Sequence, residues 1–133
     1  TKKENLPQEE LVLAPEEYKG FKMNREDLYR QYFLFWKSWH DEFIVSLSSD
    51  SNRKKQIDCA EEAIKNLINL KALLNEEKQK GLDIYINQIK ALRDRSSKDL
   101  YGDSVTANVQ SAERIKRDIL RDFSYRKIKD YLI

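Results

Sequence analysis

The chain has few of the residues that interrupt helices or carry redox and metal chemistry. Its 133 residues include 3 glycines, 2 prolines, and one cysteine, one histidine and one methionine. A single cysteine excludes an intrachain disulfide and the multi-cysteine zinc and iron–sulfur patterns. The scarcity of glycine and proline, with 36% charged residues and a mean hydropathy of -0.80, predicts a few long amphipathic helices.

Long apolar runs and a large net charge are also missing. No segment approaches the ~18 apolar residues that span a bilayer, and the first residues lack the apolar core of a signal peptide. The 25 basic and 23 acidic side chains leave a net charge of +2, so no strong field favours nucleic acid or an anionic membrane. We therefore expect neither a nucleic-acid role nor a direct membrane span.

Residues 1–23 are predicted to form an extended N-terminal arm or tether, with the helical bundle in residues 24–133. Both prolines and Gly20 fall in the arm, which has no sustained apolar period. Its apolar cluster, Leu11, Val12 and Leu13, could dock on the bundle.

The start of the chain at Thr1 rather than Met bears on localisation. We expect that a segment upstream has been removed, through processing or through truncation. If the missing segment was a signal peptide or an anchor, the protein would be exported or membrane-anchored, and the arm would lead away from the membrane.

Half of the aromatic residues lie in one stretch, LYRQYFLFWKSWHDEF, residues 28–43. Asn24 is a good N-cap, and Glu26 and Asp27 follow it in the first turn, where the helix dipole favours acids. At about 100° per residue, the predicted helix to Leu47 places its inner face at Leu28, Tyr32, Phe35, Trp39 and Phe43, with Tyr29, Phe33, Trp36, Ile44 and Leu47 beside them. This arc covers about half of the helix, so it needs more than one packing partner.

Three further helices follow. The second, capped by Asp50 or Ser51, is predicted to run to Lys80, with Gly81 as its C-terminal turn; one long helix through Gly81 is the alternative. The third runs from about Asp83 to Leu100. Gly102 then forms a turn before a last helix whose apolar residues extend from Val105 to Tyr131. Short connections force antiparallel neighbours, which predicts an all-α, antiparallel up-and-down four-helix bundle.

His40 and Cys59 are the two residues with the clearest chemical potential, and both have a structural interpretation. His40 projects to the rim of the aromatic arc, and Asp41 and Glu42 point away from it by about 100° per residue, so these three do not form a catalytic group. Cys59 projects near the edge of an apolar face and resembles a small hydrophobic residue. With no phosphate-binding glycine loop and no nucleophile elbow, no catalytic residue, cofactor or metal is predicted.

Lys71, Leu34 and Val45 depart from the pattern of their helices. Lys71 projects into an apolar stripe, where it could contact an anion, although a lysine stem packed under a solvated ammonium is the simpler interpretation. Leu34 and Val45 are apolar residues on the polar face of the first helix. They could receive Leu11, Val12 and Leu13, or they could contact a partner.

The sequence therefore predicts a non-enzymatic binding or structural module that acts through protein–protein contacts. An alternative is a cytoplasmic adaptor or regulator that binds a partner helix in a groove. A third possibility, an enzyme, would need groups such as His40 and Lys71 to converge in a pocket. A second copy of the chain could complete the aromatic arc, so a homodimer is a further possibility.

Overall fold

A computed structural model describes residues 24–48 and 52–133. The predicted arm, with Leu11, Val12 and Leu13, lies outside the described residues, as do Asp50 and Ser51. The elements in chain order are α1 (Arg25–Ser48), α2 (Arg53–Lys71), α3 (Glu76–Ser97), α4 (Val105–Phe123), α5 (Tyr125–Ile128) and a 3-10 turn (Lys129–Tyr131). Of these helices, none is both long and apolar enough to cross a membrane.

The four long helices form the predicted antiparallel bundle, which the structure confirms. α1 packs between α2 and α4, and α3 packs against the other side of both. Two hydrogen bonds fix the register of α1 against α4. The Tyr29 hydroxyl donates to the Phe123 carbonyl at 2.6 Å, and the His40 Nε2 lies 2.8 Å from the Ala112 carbonyl oxygen. The two bonded positions are 11 residues apart on each helix and run in opposite chain directions, as antiparallel packing requires.

Asparagine side chains cap the first three helices. Asn24 accepts from the Asp27 amide at 2.8 Å, as its position predicts. Asn52 accepts from the Lys55 amide at 2.8 Å, so α2 is capped there rather than at Asp50 or Ser51.

The prediction that Gly81 ends the second helix is wrong. α2 ends at Lys71, and Asn75 caps α3 by accepting from the Lys78 amide at 2.9 Å. Gly81 lies within α3. The decisive signal in the sequence is Asn75 followed by two glutamates, which suits a helix N-terminus through both the cap and the dipole. The alternative of one uninterrupted helix is wrong too, because residues 72–75 separate α2 from α3.

The ends of α3 and α4 also come earlier than predicted. α3 ends at Ser97 rather than Leu100, and Gly102, with a φ of 72°, forms the predicted turn. α4 ends at Phe123 instead of continuing to Tyr131, because Ser124 has an extended backbone. The last residues return to the turn between α2 and α3, where the Asn75 amide donates to the Tyr131 carbonyl at 2.8 Å.

The buried face of α1 is rotated relative to the predicted one. Tyr29, Trp36 and Phe43 are buried, whereas Phe35 and Trp39, predicted to lie inward, are 43% and 38% exposed. His40, predicted at the rim, is fully buried. Since α4 covers the flank of α1 that holds His40, the opposite edge of the aromatic arc is left at the surface. Four apolar residues outside α1 that share the apolar spacing of their predicted helices are exposed as well: Ile68, Leu100, Val105 and Tyr131.

We expect Gly81→Ala to stabilise the protein by about 1 kcal/mol, because alanine is the better helix former. The added Cβ would lie 3.5 Å from Phe123 Cζ, an ordinary van der Waals contact. The matched variant Gly102→Ala should destabilise by about 1 kcal/mol or more, because it forces a side chain into the left-handed region. Urea unfolding of both variants measures the two changes. A destabilised Gly81→Ala would restore the interpretation of Gly81 as a turn.

Candidate functional site

The outward face of α1 carries an apolar surface, here called the α1 face and defined by Leu34, Phe35, Trp39 and Val45. Leu34 and Val45 are 61% and 52% exposed, which confirms that both lie at the surface. Their helical positions differ by 11 residues, or about 17 Å along the axis. Phe35 and Trp39, four residues apart, form a neighbouring row on the same side of the helix.

The composition of the α1 face differs from that of an ordinary solvated helix surface. Two exposed polar residues, the small Ser38 and the acidic Glu42, lie between its apolar residues. Salt bridges of α1 are concentrated on the flank that faces α4, where Lys37 and Lys116 both contact Asp41. Large apolar side chains together with a small residue are typical of surfaces on which another helix packs closely.

His40 is a buried polar link and not a solvent-facing base. Trp36 Nε1 donates to His40 Nδ1 at 3.2 Å, so Nδ1 is the acceptor. The proton of the neutral ring is then on Nε2, which donates to the Ala112 carbonyl at 2.8 Å. Both ring nitrogens are occupied by protein groups, and the ring has no exposed surface.

Burial lowers the pKa of His40 from 6.5 to about 4, although the hydrogen bond to Ala112 and the charge of Asp41 act in the opposite direction. Lys116 adds to the lowering through its positive charge. Partial burial tends to raise the pKa of Asp41, but hydrogen bonds from Lys116 at 2.6 Å and Lys37 at 3.2 Å outweigh it, and the pKa is lowered. The result is a neutral histidine beside an ionised carboxylate.

Lys71 pairs with a carboxylate of the bundle, and Cys59 is buried within it. Lys71 Nζ lies 2.8 Å from Asp83 Oδ1 of α3, so the nearest anion is the chain's own carboxylate. Binding of an external anion by Lys71 stays a prediction. Cys59 is buried, as expected of a small hydrophobic residue, and burial raises the pKa of its thiol. A thiol of this kind is a poor nucleophile.

The structure does not bring His40, Cys59 and Lys71 together in one pocket. His40 lies between α1 and α4, whereas the Lys71 ion pair joins α2 to α3. Residues 24–48 and 52–133 contain no group of three or more His, Cys, Asp or Glu side chains with the geometry of a metal site.

Comparison of the chain with protein-family models, with curated proteins and with solved structures yields no match in any of the three. What the protein binds is therefore inferred from its own side chains.

Sequence reasoning identified Leu34 and Val45 but missed Phe35 and Trp39 as surface residues. The missing information is the position of α4. A wide apolar arc has two edges, and a helical projection does not show which of the two edges a neighbouring helix covers. A partial signal was available in the basic residue Lys116, which could pair with Asp41 and thereby bring α4 to the histidine flank.

The neutral, buried His40 should make stability fall as the pH is lowered from 7 to 5. In this window the unfolded state takes up a proton at a pKa near 6.5, while folded His40, with its pKa of about 4, does not. The loss at pH 5 amounts to about 2 kcal/mol, at about 1.4 kcal/mol per pH unit below 6.5.

Urea unfolding at pH 7 and pH 5 measures this loss, with His40→Gln as the control that cannot titrate. The variant should be less stable at pH 7 by about 1–3 kcal/mol, because a glutamine amide does not reproduce the geometry in which the ring bridges Trp36 and the Ala112 carbonyl. It should also lose about 2 kcal/mol less than the native chain on acidification. Equal pH dependence in the two proteins would mean that His40 is not a buried neutral base.

Proposed function

We propose that this protein is a non-enzymatic helical-bundle module that acts through protein–protein contacts made by the α1 face. The observation that carries the proposal is the exposure of four large apolar side chains on a helix whose other side buries Trp36, His40 and Phe43 in the bundle. Such residues are costly to leave in water, at about 25 cal/mol per Å² of apolar surface. Exposed apolar patches of this kind are typical of interaction sites.

The proposed mode of contact is helix against helix. α1 presents Leu34, Phe35, Trp39 and Val45 along about three turns, and Ser38 allows the axis of a partner helix to approach closely. The buried tryptophan–histidine pair, Trp36 and His40, supports this surface from behind. The partner is a different protein or a second copy of this chain.

The environment of the two most reactive candidates supports a non-enzymatic role. Both nitrogens of His40 are engaged by Trp36 and Ala112, and Lys71 is held by Asp83. A general base needs a free nitrogen within hydrogen-bonding reach of its substrate. Replacement of either residue should therefore alter stability rather than remove a reaction step.

The test is photo-cross-linking in the native organism with benzoylphenylalanine in place of Glu42, an exposed residue between Trp39 and Val45, compared with the same residue in place of Lys90. Lys90 is an exposed residue of α3 outside the α1 face. We expect a discrete adduct from position 42 alone, and an adduct between two copies would identify the partner as the chain itself.

In the same experiment, Leu34→Gln with Val45→Gln should reduce the adduct roughly tenfold or more, because both apolar contacts are removed. The stability of this double variant should be unchanged within about 0.5 kcal/mol, since glutamine is a good helix former at exposed positions. An equal adduct from position 90, or one that survives the double substitution, would contradict the proposal.

A further inference from the structure

A groove lies at the end of the bundle where α3 begins, α4 ends and the C-terminal residues return. Its volume is about 450 Å³, and its walls include Tyr85, Phe123, Tyr131 and Ile84. Ile84 is 58% exposed, which is unusual for an isoleucine beside three aromatic rings. The volume is within the range of ligand sites, and the apolar walls are bordered by charged side chains in about equal share.

Gly81 keeps this groove open. It lines the groove from within α3, where glycine costs about 1 kcal/mol relative to alanine. Its φ is not in the left-handed region, and a Cβ would meet only Phe123 Cζ at 3.5 Å. No backbone requirement at this position calls for glycine. The residue instead leaves space above Phe123 that any longer side chain would fill.

Apart from the ion pair between Arg121 and Asp122, the rim of the groove carries more basic than acidic side chains. Asp122 accepts from Arg121 at 2.8 and 3.0 Å and from the Tyr85 hydroxyl at 2.6 Å, so this carboxylate is already satisfied. Lys78, which lies 4.5 Å from the centre of the Tyr131 ring, and Lys127 then face a single further acid, Glu77.

The basic character continues along the C-terminal segment beside the groove. Arg126 and Lys129 lie near Lys127 and are exposed, against one exposed acid, Asp130. Neither these two residues nor Lys78 and Lys127 form a salt bridge with any carboxylate of residues 24–48 or 52–133. The groove therefore suits a segment with apolar side chains for its walls and carboxylates for its rim.

One such segment belongs to this chain. Residues 8–18, QEELVLAPEEY, contain four glutamates and no basic residue around the apolar cluster Leu11, Val12 and Leu13. We propose that this segment of the same chain binds in the groove, with its apolar cluster against Ile84 and the aromatic walls and its glutamates near Lys78 and Lys127. This inference goes beyond the contact surface proposed on the α1 face.

The distance along the chain permits this arrangement. α1 starts at the groove end of the bundle, because Glu26 accepts from the Tyr125 hydroxyl at 3.3 Å and Arg30 lies 4.4 Å from the centre of the same ring. Eleven residues connect Leu13 to Asn24 and can span up to about 36–40 Å when extended. The width of two helices is about 20–24 Å, so the segment reaches the groove with residues to spare.

The length of the connecting chain would also allow the segment to bind on the α1 face. The charges around the two surfaces favour the groove. The exposed acids near that face, Asp27 and Glu42, would repel the four glutamates of the segment. The groove rim attracts them through Lys78 and Lys127.

The test uses intramolecular cross-linking in the full chain with a short bismaleimide. Ala14→Cys, next to the apolar cluster, is paired with Ile84→Cys in the groove or with Ser38→Cys on the α1 face. Ser38 lies about 21 Å along α1 from Asn24, also within reach of the segment. The buried Cys59 serves as the unreactive reference, checked with Ala14→Cys alone.

We expect the groove pair to cross-link within one chain at least about tenfold faster than the α1 pair. Lys78→Gln with Lys127→Gln, or high salt, should slow the groove reaction by about tenfold. The control Lys55→Gln with Lys90→Gln should not. Gly81→Met, which stays helical and fills the groove, should slow it as well.

The proposal fails if the α1 pair reacts as fast as the groove pair, or if both the charge variant and Gly81→Met react at the native rate. Cross-linked dimers in place of a product within one chain, at low protein concentration, would also overturn it, since the occupant would then come from a second copy. Unfolding midpoints of each variant confirm that the compared proteins are folded.

Discussion

The bundle depends on how much of the aromatic surface of α1 its two neighbours can cover. Tyr29, Trp36 and Phe43 are buried against α2 and α4, and each contributes about 1.5–3 kcal/mol through the surface it removes from water. Two neighbouring helices cannot cover an apolar arc that extends over about half of the surface of α1. Phe35 and Trp39 remain outside for this geometric reason, and the α1 face exists because of them.

Polar groups determine which edge of the aromatic arc is buried. Tyr29 and His40 each reach a backbone carbonyl of α4, at Phe123 and Ala112, and these bonds hold α1 and α4 in one register. A buried imidazole without partners would cost about 1–3 kcal/mol. With Trp36 and Ala112 as partners, His40 can occupy the core as a neutral group. The same bonds that satisfy the histidine therefore orient the exposed edge toward solvent.

The sequence was sufficient to predict the four long helices, their antiparallel order, the Asn24 cap and the Gly102 turn, since these depend on local periodicity and turn chemistry. It was insufficient at Gly81, where a glycine and a following leucine resemble a helix end although Asn75 supplies the stronger start signal. It was also insufficient for His40 and Trp39, whose burial depends on the position of α4. Of the candidate site, Leu34 and Val45 could be predicted because they interrupt a polar face, whereas Phe35 could not.

The division of the two tryptophans between core and surface is the central claim, and acrylamide quenching of single-tryptophan variants tests it most directly. In Trp39→Phe the remaining Trp36 should be protected, and in Trp36→Phe the remaining Trp39 should be quenched readily, each over a range of protein concentrations. This result follows from full burial of Trp36 and 38% exposure of Trp39. Ready quenching of Trp36, or equal protection of both tryptophans in dilute protein, would contradict the account.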